Sequence, residues 1–274
     1  MGNLLLKAKS KVIWFLKYVL RKLGVGITSY SNLVYLRNQA SDRSYRDLET
    51  IRELDPANYE LLIPLLSKSR SQLRQDLFVL SEVKSMTKKT GGYFVEFGAT
   101  NGIDFSNTYL LETEFSWTGI LVEPARVWES ELRANRPNAS IETLCVWKDS
   151  NSSLLFNETF SPNFSTIKSF SDKDRNKNIR RGGKEYEVQT ISLIDLLTKH
   201  QAPKHIDYLS IDTEGSEYEI LKAFNFDVFN IRIITVEHNN NTPQRKLIFD
   251  LLTSHGYKRK HENISAYDDW YVKI

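Results

Sequence analysis

The sequence predicts an α/β fold: a mostly parallel, seven-stranded sheet with helices on both faces, closed by a C-terminal β-hairpin and preceded by a helical N-terminal extension. Two observations predict it. From Tyr93 onward, short apolar runs alternate with helical stretches of about ten residues, the pattern of parallel strands joined by crossover helices. At the C terminus, two strand-like runs at 256–265 and 268–274 follow each other across a short turn, so we expect the last strand to run antiparallel.

Length and composition limit the chain to one large globular domain, or to a smaller domain with an extension. Of its 274 residues, 41% are hydrophobic and 26% charged, which excludes disordered and fibrous proteins. The single cysteine, Cys145, excludes an intramolecular disulfide framework and a structural zinc cluster, and it favours a reducing, cytoplasmic compartment. We place the extension at residues 1–70 and the sheet domain at residues 71–274.

Positive charge is concentrated at the N terminus. Residues 1–41 hold seven basic residues and no acid, whereas the rest of the chain has 30 basic and 34 acidic residues and is therefore a poor nucleic-acid binder. Over residues 4–23, apolar side chains recur at helical spacing, and no uncharged stretch is long enough to span a bilayer. Residues 1–25 thus predict a basic amphipathic helix. It lies on the anionic inner face of a membrane or, alternatively, packs on its own body or a second subunit.

The elements of the sheet domain are expected in a regular order. Leu73, Leu77, Leu80 and Val83 recur at helical spacing, which predicts a helix at 72–87. Apolar runs then predict strands at 93–97, 119–123, 141–147, 186–193, 206–212 and 231–238. Helical spacing between the strands predicts helices at 106–115, 125–135, 193–200, 216–224 and 245–256.

The first two strands end in residues that suit a ligand, which in such sheets binds at the carboxyl ends of the strands. Glu96 is followed by the glycine loop Gly98–Gly102, whose two glycines allow a tight turn and close approach of the backbone to a ligand. The loop matches neither the dinucleotide nor the P-loop pattern. Glu123, before Pro124, can accept both hydroxyls of a ribose. The alternative is an ordinary strand–helix turn with a solvated glutamate.

Acidic residues also close two later strands. Asp212, Glu214 and Glu217 follow strand 206–212, and Glu237 with His238 closes strand 231–238. Because strand interiors tolerate carboxylates poorly, acids at two strand ends indicate a functional edge of the sheet. Glu217 could instead simply charge the first turn of the next helix.

Four blocks of the sheet domain, FVEFGATNG, SNTYLLE, GILVEP and IDYLSIDTEGSEYEIL, resemble the FkbM family of S-adenosylmethionine-dependent methyltransferases. The resemblance covers residues 71–274, and its most specific part is the acidic block that follows strand 206–212. It implies a class I, Rossmann-like methyltransferase that usually moves a methyl group to a hydroxyl, with S-adenosyl-L-methionine as the cofactor.

The same resemblance implies where the cofactor binds. Carried over by position, the glycine loop lines its methionine part, Glu123 holds its ribose, and Cys145 and Val146 lie near its adenine. The implied cofactor-binding set is Glu96, Gly98, Ala99, Asn101, Gly102, Glu123, Pro124, Cys145 and Val146. The sequence departs from many methyltransferases by having Glu96 in place of Asp and Thr100 in place of Gly.

The predicted catalytic set is Asp212, Glu214 and His238. A sulfonium methyl is already activated, so the enzyme must align a hydroxyl oxygen and remove its proton. Asp212 or His238 is the expected base, and the ordinary pKa of a histidine, about 6.5, suits neutral pH. Asp212 with Glu214 is alternatively a site for a divalent cation that acidifies the hydroxyl. We favour the metal-free version, because the adjacent acids could equally orient acceptor hydroxyls.

A basic segment lies between strands 141–147 and 186–193. Its basic residues are Lys168, Lys173, Arg175, Lys177, Arg180, Arg181 and Lys184. Long loops inside a compact domain often serve as lids or binding loops. This segment predicts either a clamp on a phosphorylated or otherwise anionic acceptor, or a merely solvated loop.

Together these features predict a cytoplasmic O-methyltransferase that acts on a hydroxyl of a sugar, glycolipid or secondary metabolite. Its expected partners are a small-molecule or glycan- or lipid-linked acceptor, with no nucleic acid and with peripheral membrane contact through residues 1–25. The alternative is a catalytically silent, membrane-associated interaction protein on a methyltransferase-like scaffold. The intact glycine, ribose-acid and acidic blocks favour the enzyme.

Overall fold

The computed structural model describes residues 43–84 and 91–274, so the predicted amphipathic helix at 1–25 lies outside the described residues. The chain divides into two units, Met1–Leu48 and Glu49–Ile274, and the fold below is that of the second unit. The boundary expected after residue 70 stays a prediction. Within the described ranges, no helix is both long enough and apolar enough to cross a membrane.

Helices precede and separate the strands. Residues 43–53 are helical, and the part of this helix in the second unit, residues 49–53, is called α1. The helices that follow are α2 (Tyr59–Leu65), α3 (Gln75–Lys84), α4 (Tyr109–Phe115), α5 (Glu129–Asn135), α6 (Leu193–Lys199), α7 (Glu217–Ala223) and α8 (Thr242–Ser254). The strands are β1 (Tyr93–Phe97), β2 (Thr118–Val122), β3 (Ser140–Glu142), β4 (Cys145–Trp147), β5 (Ser153–Glu158), β6 (Thr166–Ile167), β7 (Lys184–Ser192), β8 (His205–Ile211), β9 (Asn230–Glu237), β10 (Tyr257–Lys260) and β11 (Asp268–Lys273).

Within residues 91–274, seven strands form a large sheet in the order β10-β11-β9-β8-β1-β2-β3. The pairs from β9 to β3 are parallel, whereas β11 runs antiparallel to both β9 and β10. This arrangement confirms the mostly parallel, seven-stranded sheet and its antiparallel C-terminal hairpin. Central β1 is flanked by β8 and β2, so the carboxyl ends of these three strands meet at one edge.

Buried apolar side chains cover both faces of the large sheet. Neighbouring residues of a strand point to opposite faces. On β1, Val95 belongs to the layer that contains side chains of α6, α7 and α8, whereas Phe94 belongs to the layer that contains side chains of α2, α3 and α4. Helices on both faces are thereby confirmed.

The predicted strand at 141–147 is wrong as a single strand. The carboxylate of Glu142 accepts hydrogen bonds from the backbone N–H groups of Thr143 and Leu144, at 3.0 and 3.1 Å, and turns the chain there. β3 stays in the large sheet, while β4 enters a small sheet of order β4-β7-β5-β6 within residues 145–192. β7 matches the strand predicted at 186–193, but it pairs with β4 and β5 and not with the large sheet.

Candidate active site

A cavity of about 470 Å³ opens at the carboxyl edge of the large sheet. Its walls come from the ends of β1, β2, β8 and β9, from the start of β4, and from the turn before β11. Further walls come from residues 159–183, called the insertion, which connect β5 to β7 and include β6. A concave site at this edge is where a parallel α/β sheet binds its ligand.

The glycine loop owes its shape to two positions where a side chain cannot fit. Gly98 has φ +74°, and a Cβ there would lie 2.1 Å from the carbonyl oxygen of Asp212. Gly102 has φ +80°, and its Cβ would lie 2.6 Å from Arg136 Cγ. Both positions therefore require glycine, because any side chain would clash and the backbone is left-handed. Of the two, Gly98 lines the cavity.

Ala99, Asn101 and Gly102 do not line the cavity, although the sequence resemblance places them at the cofactor. Ala99 is 1% exposed and packs in the core. Asn101 Oδ1 accepts hydrogen bonds from the backbone N–H groups of Ile103 and Asp104, at 3.0 and 2.9 Å. These residues thus give the loop its shape.

Glu96 lines the cavity, but both of its carboxylate oxygens are engaged within the protein. Oε1 accepts from the backbone N–H of Asn107 at 2.7 Å. Oε2 accepts from the hydroxyls of Ser106, at 2.9 Å, and Thr108, at 2.5 Å. Glu96 therefore fixes the segment that leads into α4, which explains why this helix begins at Tyr109 and not at the predicted residue 106.

Glu123 is a buried carboxylate with acceptor capacity to spare. Oε2 accepts from the Thr100 N–H at 2.9 Å, and Oε1 from the Ala125 N–H at 2.8 Å. Burial raises the pKa of Glu123 to about 7. Because a carboxylate has about four lone-pair sites, ribose hydroxyls can still bind here.

Cys145, Val146 and Pro124 line the same cavity as Glu123. Burial raises the pKa of the Cys145 thiol to about 12, so the side chain is neutral at physiological pH. A neutral buried thiol behaves as a small apolar group, not as a nucleophile. These residues offer an apolar wall that suits an aromatic base.

Three carboxyl groups converge in the cavity beyond the ends of β8 and β9. Ligand oxygens of Asp212, Glu214 and Glu237 all lie within 4.8 Å of one another. Asp212 is open to the cavity, although protein surrounds its other sides. Burial and mutual repulsion raise the pKa of all three, and Asp212 hydrogen-bonds with Glu237. Like charges this close do not all ionise, so Asp212 and Glu237 share a proton near neutral pH.

The same three carboxylates have the spacing of a metal site, and no other His, Cys, Asp or Glu group among residues 43–84 and 91–274 has it. Oxygen ligands of this kind suit Mg²⁺ or Mn²⁺. The protein already supplies one cation to the cluster, because Arg180 of the insertion binds Glu214.

Arg180 is 2% exposed and joins the insertion to the acidic residues. Its guanidinium donates to Glu214 Oε2 at 2.5 Å, to Asp174 Oδ1 at 2.8 Å and to the carbonyl oxygen of Phe164 at 2.9 Å. Removing one partner of a buried ion pair of this kind lowers the free energy of unfolding by about 3–5 kcal/mol. Arg180 is therefore engaged within the protein and is not a free clamp for an anionic acceptor, which corrects that expectation for this residue.

The other described basic residues of the segment lie at the surface. Lys168 pairs with Glu185 at 2.5 Å, and both side chains are well exposed. The side chains of Lys173, Lys177, Arg181 and Lys184 are exposed. None of these residues lines the cavity, so the described structure favours the solvated alternative for them.

Glu217 and His238, both singled out in the sequence, do not line the cavity. The carboxylate of Glu217 accepts from the backbone N–H groups of Thr213 and Gly215, at 3.0 and 2.9 Å, and so holds the loop after β8. His238 Nε2 lies 3.9 Å from Asp269 Oδ1, and burial lowers the pKa of His238. Because β9 ends at Glu237, that residue faces the cavity and His238 points away, so His238 is not placed to act as the base.

A family model, described as the methyltransferase FkbM domain, matches residues 96–259, which is more than half of the chain. The chain belongs to the FkbM methyltransferase family. This protein is accordingly an S-adenosylmethionine-dependent methyltransferase, as the sequence resemblance predicted. The match spans every residue of the acidic cluster and both glycines of the loop.

Solved structures show more distant likenesses to this FkbM methyltransferase. A crystal structure of methyltransferase FkbM from Methylobacillus flagellatus KT has 11% identity and a TM-score of 0.45, covering 94% of this chain and 70% of that chain. The METTL16 methyltransferase domain has 10% identity and a TM-score of 0.43, covering 73% and 66%. These likenesses are too remote to assign a substrate. No curated protein shows significant sequence similarity.

The site of this FkbM methyltransferase thus brings together most of the residues expected from the sequence. Those that line the cavity are Glu96, Gly98, Glu123, Pro124, Cys145, Val146, Asp212 and Glu214. Among the other lining residues, sequence reasoning gave no role to Asn107 and Tyr267, and it named Glu237 only as one of the acids at the functional edge of the sheet. Glu237 had a signal, since it closes an apolar strand, and Asn107 lies in one of the resemblance blocks. Tyr267 lies in a turn, and no pattern in the sequence pointed to it.

Proposed function

We propose that this FkbM methyltransferase transfers the methyl group of S-adenosylmethionine to a hydroxyl oxygen of a sugar, glycolipid or hydroxylated secondary metabolite. The observation that carries this proposal is the placement of Asp212 and Glu237 in the same cavity as Glu123. A base beside the cofactor pocket with a pKa near neutrality is what removal of a hydroxyl proton requires. The carboxylates of the cluster are also acceptors suited to the several hydroxyls of a glycan.

The residues divide the work as follows. The bound cofactor supplies an activated methyl group on a sulfonium. Glu123 accepts hydrogen bonds from the ribose hydroxyls, and Cys145 and Val146 flank the adenine. Asp212 would accept the proton of the acceptor hydroxyl as its oxygen takes up the methyl group, and the cofactor would keep the electron pair of the carbon–sulfur bond. Glu237, hydrogen-bonded to Asp212, orients it and shares the proton.

We also propose that nucleic acid is not the acceptor. Six carboxyl groups line the cavity, those of Glu96, Asp104, Glu123, Asp212, Glu214 and Glu237. Arg180, which binds Glu214, is also held by Asp174. Binding of a polyanion depends on cationic contacts to its phosphates. An acidic cavity with a neutralised arginine opposes such binding.

The proposal is tested by methyl transfer from isotopically labelled S-adenosylmethionine to a panel of oligosaccharides, glycolipids and RNA. We expect label on a hydroxyl oxygen of a neutral acceptor, lost in Asp212→Asn and kept in a Lys168→Gln control at the surface. Label on RNA, on nitrogen or on carbon would overturn the proposal. An absence of transfer to every compound, with no binding of S-adenosylhomocysteine, would support the catalytically silent alternative.

We further propose that residues 1–25, which lie outside the described structure, bring the enzyme to an anionic membrane surface. The support is the run of basic residues without an acid, since each basic residue contributes about 1 kcal/mol near such a surface. Full-length protein should sediment with anionic vesicles and much less with neutral ones, and a truncated protein beginning at Thr28 should stay in solution. Equal sedimentation of the truncated protein would contradict the proposal.

A further inference from the structure

Asn107 lies in the wall of the cavity at the point where β1 and β8 end side by side. It is 9% exposed. Its backbone N–H donates to Glu96 Oε1 at 2.7 Å, and its side-chain Nδ2 donates to the hydroxyl of Ser210 at 2.9 Å. Ser210 in turn faces Glu96 across the β1–β8 pairing. Asn107 is therefore held from two sides.

The remaining polar atom of this side chain, Asn107 Oδ1, has no hydrogen-bond partner in the protein. Buried carbonyl oxygens are nearly always paired, and leaving one unpaired destabilises a protein by about 1–3 kcal/mol. Oδ1 itself is buried, but the residue that carries it lines the ligand cavity, so a bound ligand is the natural source of the missing donor. Asn107 Oδ1 is an uncharged amide oxygen, so it can accept a hydrogen bond from a cationic group without placing a buried carboxylate at this point of the wall.

The neighbouring residues narrow the choice of donor. Both oxygens of Glu96 are already engaged, and Asn101, which the resemblance places at the methionine part of the cofactor, does not line the cavity. Gly98 brings the backbone of the glycine loop against Asp212, and Gly98 and Asn107 line the same cavity. The methionine part of the cofactor therefore has neither Glu96 nor Asn101 as a free side-chain acceptor.

We propose that Asn107 Oδ1 accepts a hydrogen bond from the α-ammonium group of S-adenosylmethionine, and that this contact fixes the methionine end of the cofactor. The inference rests on the proposed function, because it needs the cofactor in this cavity. Asn107 takes the role that the sequence assigned to Asn101. Its bond to Ser210 sets the direction in which Oδ1 points.

The experiment compares two ligands that differ by one group, S-adenosylhomocysteine and its deaminated analogue, which lacks the ammonium. Calorimetric titration should show that the wild-type protein binds the amine-bearing ligand more tightly. Asn107→Leu should weaken the binding of that ligand by roughly 10- to 100-fold, the range for a hydrogen bond to a charged group. It should leave the deaminated analogue nearly unchanged, so that the two ligands become similar.

Two further variants separate the contact from the fold. Asn107→Asp keeps an oxygen at this place and should retain or strengthen binding of S-adenosylhomocysteine, although it loses the donor to Ser210. Ser210→Ala removes that donor's partner alone and should have a much smaller effect than Asn107→Leu. Thermal unfolding of each variant shows that it is folded before it is titrated.

Each remaining outcome overturns the assignment. If Asn107→Leu weakens both ligands by the same factor, the residue only supports the structure. If S-adenosylhomocysteine binding is unchanged, the ammonium is held elsewhere. If the wild-type protein binds neither ligand, the failure lies in the proposed function itself, because the cofactor does not occupy the cavity.

Discussion

Two neighbouring strands of the large sheet, β1 and β8, each have an acidic residue next to their last residue, and the two acids have different roles. Glu96, at the end of β1, accepts from one backbone N–H and two hydroxyls of residues 106–108. Asp212, directly after β8, is open to the cavity, and its side chain hydrogen-bonds with another acid, Glu237. The comparison teaches that the donors around a strand-end carboxylate decide its role. Donors from the protein make Glu96 a fixed part of the fold, and their scarcity leaves Asp212 available to a substrate.

The largest expected effect is on catalysis. Asp212→Asn removes the proton acceptor, so turnover should fall by about 10²- to 10⁴-fold, the usual contribution of a general base. Affinity for S-adenosylhomocysteine should change little, because Asn keeps the size of the side chain. The measurement is methyl transfer in the folded variant. Turnover close to that of the wild-type protein would remove the distinction between the two acids.

The next effect is on stability. Glu96→Ala leaves three buried donors without an acceptor, so we expect the free energy of unfolding to fall by about 3–5 kcal/mol. Urea denaturation measures it. The matched control is Glu114→Ala, which removes a surface ion pair with Lys68 and should lower stability by less than about 1 kcal/mol. Equal losses in both variants would contradict a fixed structural role for Glu96.

A third acid, Glu123, tests whether one carboxylate can both accept hydrogen bonds from the protein, as Glu96 does, and bind a ligand, as Asp212 is expected to do. It binds two backbone N–H groups yet keeps acceptor capacity for a ligand. Glu123→Ala should weaken S-adenosylhomocysteine binding by about 1.5–3 kcal/mol, the range for hydrogen bonds to a charged group. Calorimetric titration checks the value. Unchanged affinity would show that the ribose is held elsewhere.

A smaller effect should appear in the pH dependence of stability. Burial and neighbouring acids raise the pKa of Asp212 from 3.8 to about 7. Between these values the folded protein keeps a proton that the unfolded chain has released, so rising pH favours unfolding and stability falls through this window. Asp212→Asn does not titrate. Its stability relative to the wild-type protein should therefore increase from about pH 4 to about pH 7, and a constant difference would contradict the assignment.

The smallest expected effect is that of metal. Because Arg180 supplies a cation to Glu214 and a shared proton joins Asp212 to Glu237, we expect the chelator EDTA to leave turnover unchanged. Assays with EDTA, then with added Mg²⁺ or Mn²⁺, measure this. Turnover that EDTA abolishes and Mg²⁺ restores would assign the acid cluster to a metal ion.

Sequence periodicity predicted the large sheet because its strands are apolar and are separated by amphipathic helices. It could not predict the small sheet, since β5 and β6 lie in a polar stretch. β5 is held by backbone pairing with distant β7, and β6 pairs only with β5. The strand ends predicted from the sequence located only some of the residues that line the cavity. The strand predicted to end at residue 238 ends at Glu237. Because side chains alternate between the two sides of a strand, this difference of one residue places Glu237 at the cavity and turns His238 away from it.

The glycine loop shows a second limit of the sequence. Its glycines follow from local sterics and could be expected, but the direction of the Asn101 side chain depends on the N–H groups of residues 103 and 104. Asn107 reaches the cavity because Glu96 and Ser210 hold it from two strands. Contacts between residues about 100 positions apart leave no trace in local spacing.

The buried ion pair between Arg180 and Glu214 also bears on how this enzyme can be re-engineered. A designer who wishes to change the acceptor would exchange residues 159–183 for the corresponding loop of a relative. That graft deletes Arg180 and leaves Glu214, in the recipient scaffold, buried beside Asp212 without its counter-ion. A transplanted loop therefore has to bring its own arginine, or the host has to carry Glu214→Gln, before altered selectivity can be selected.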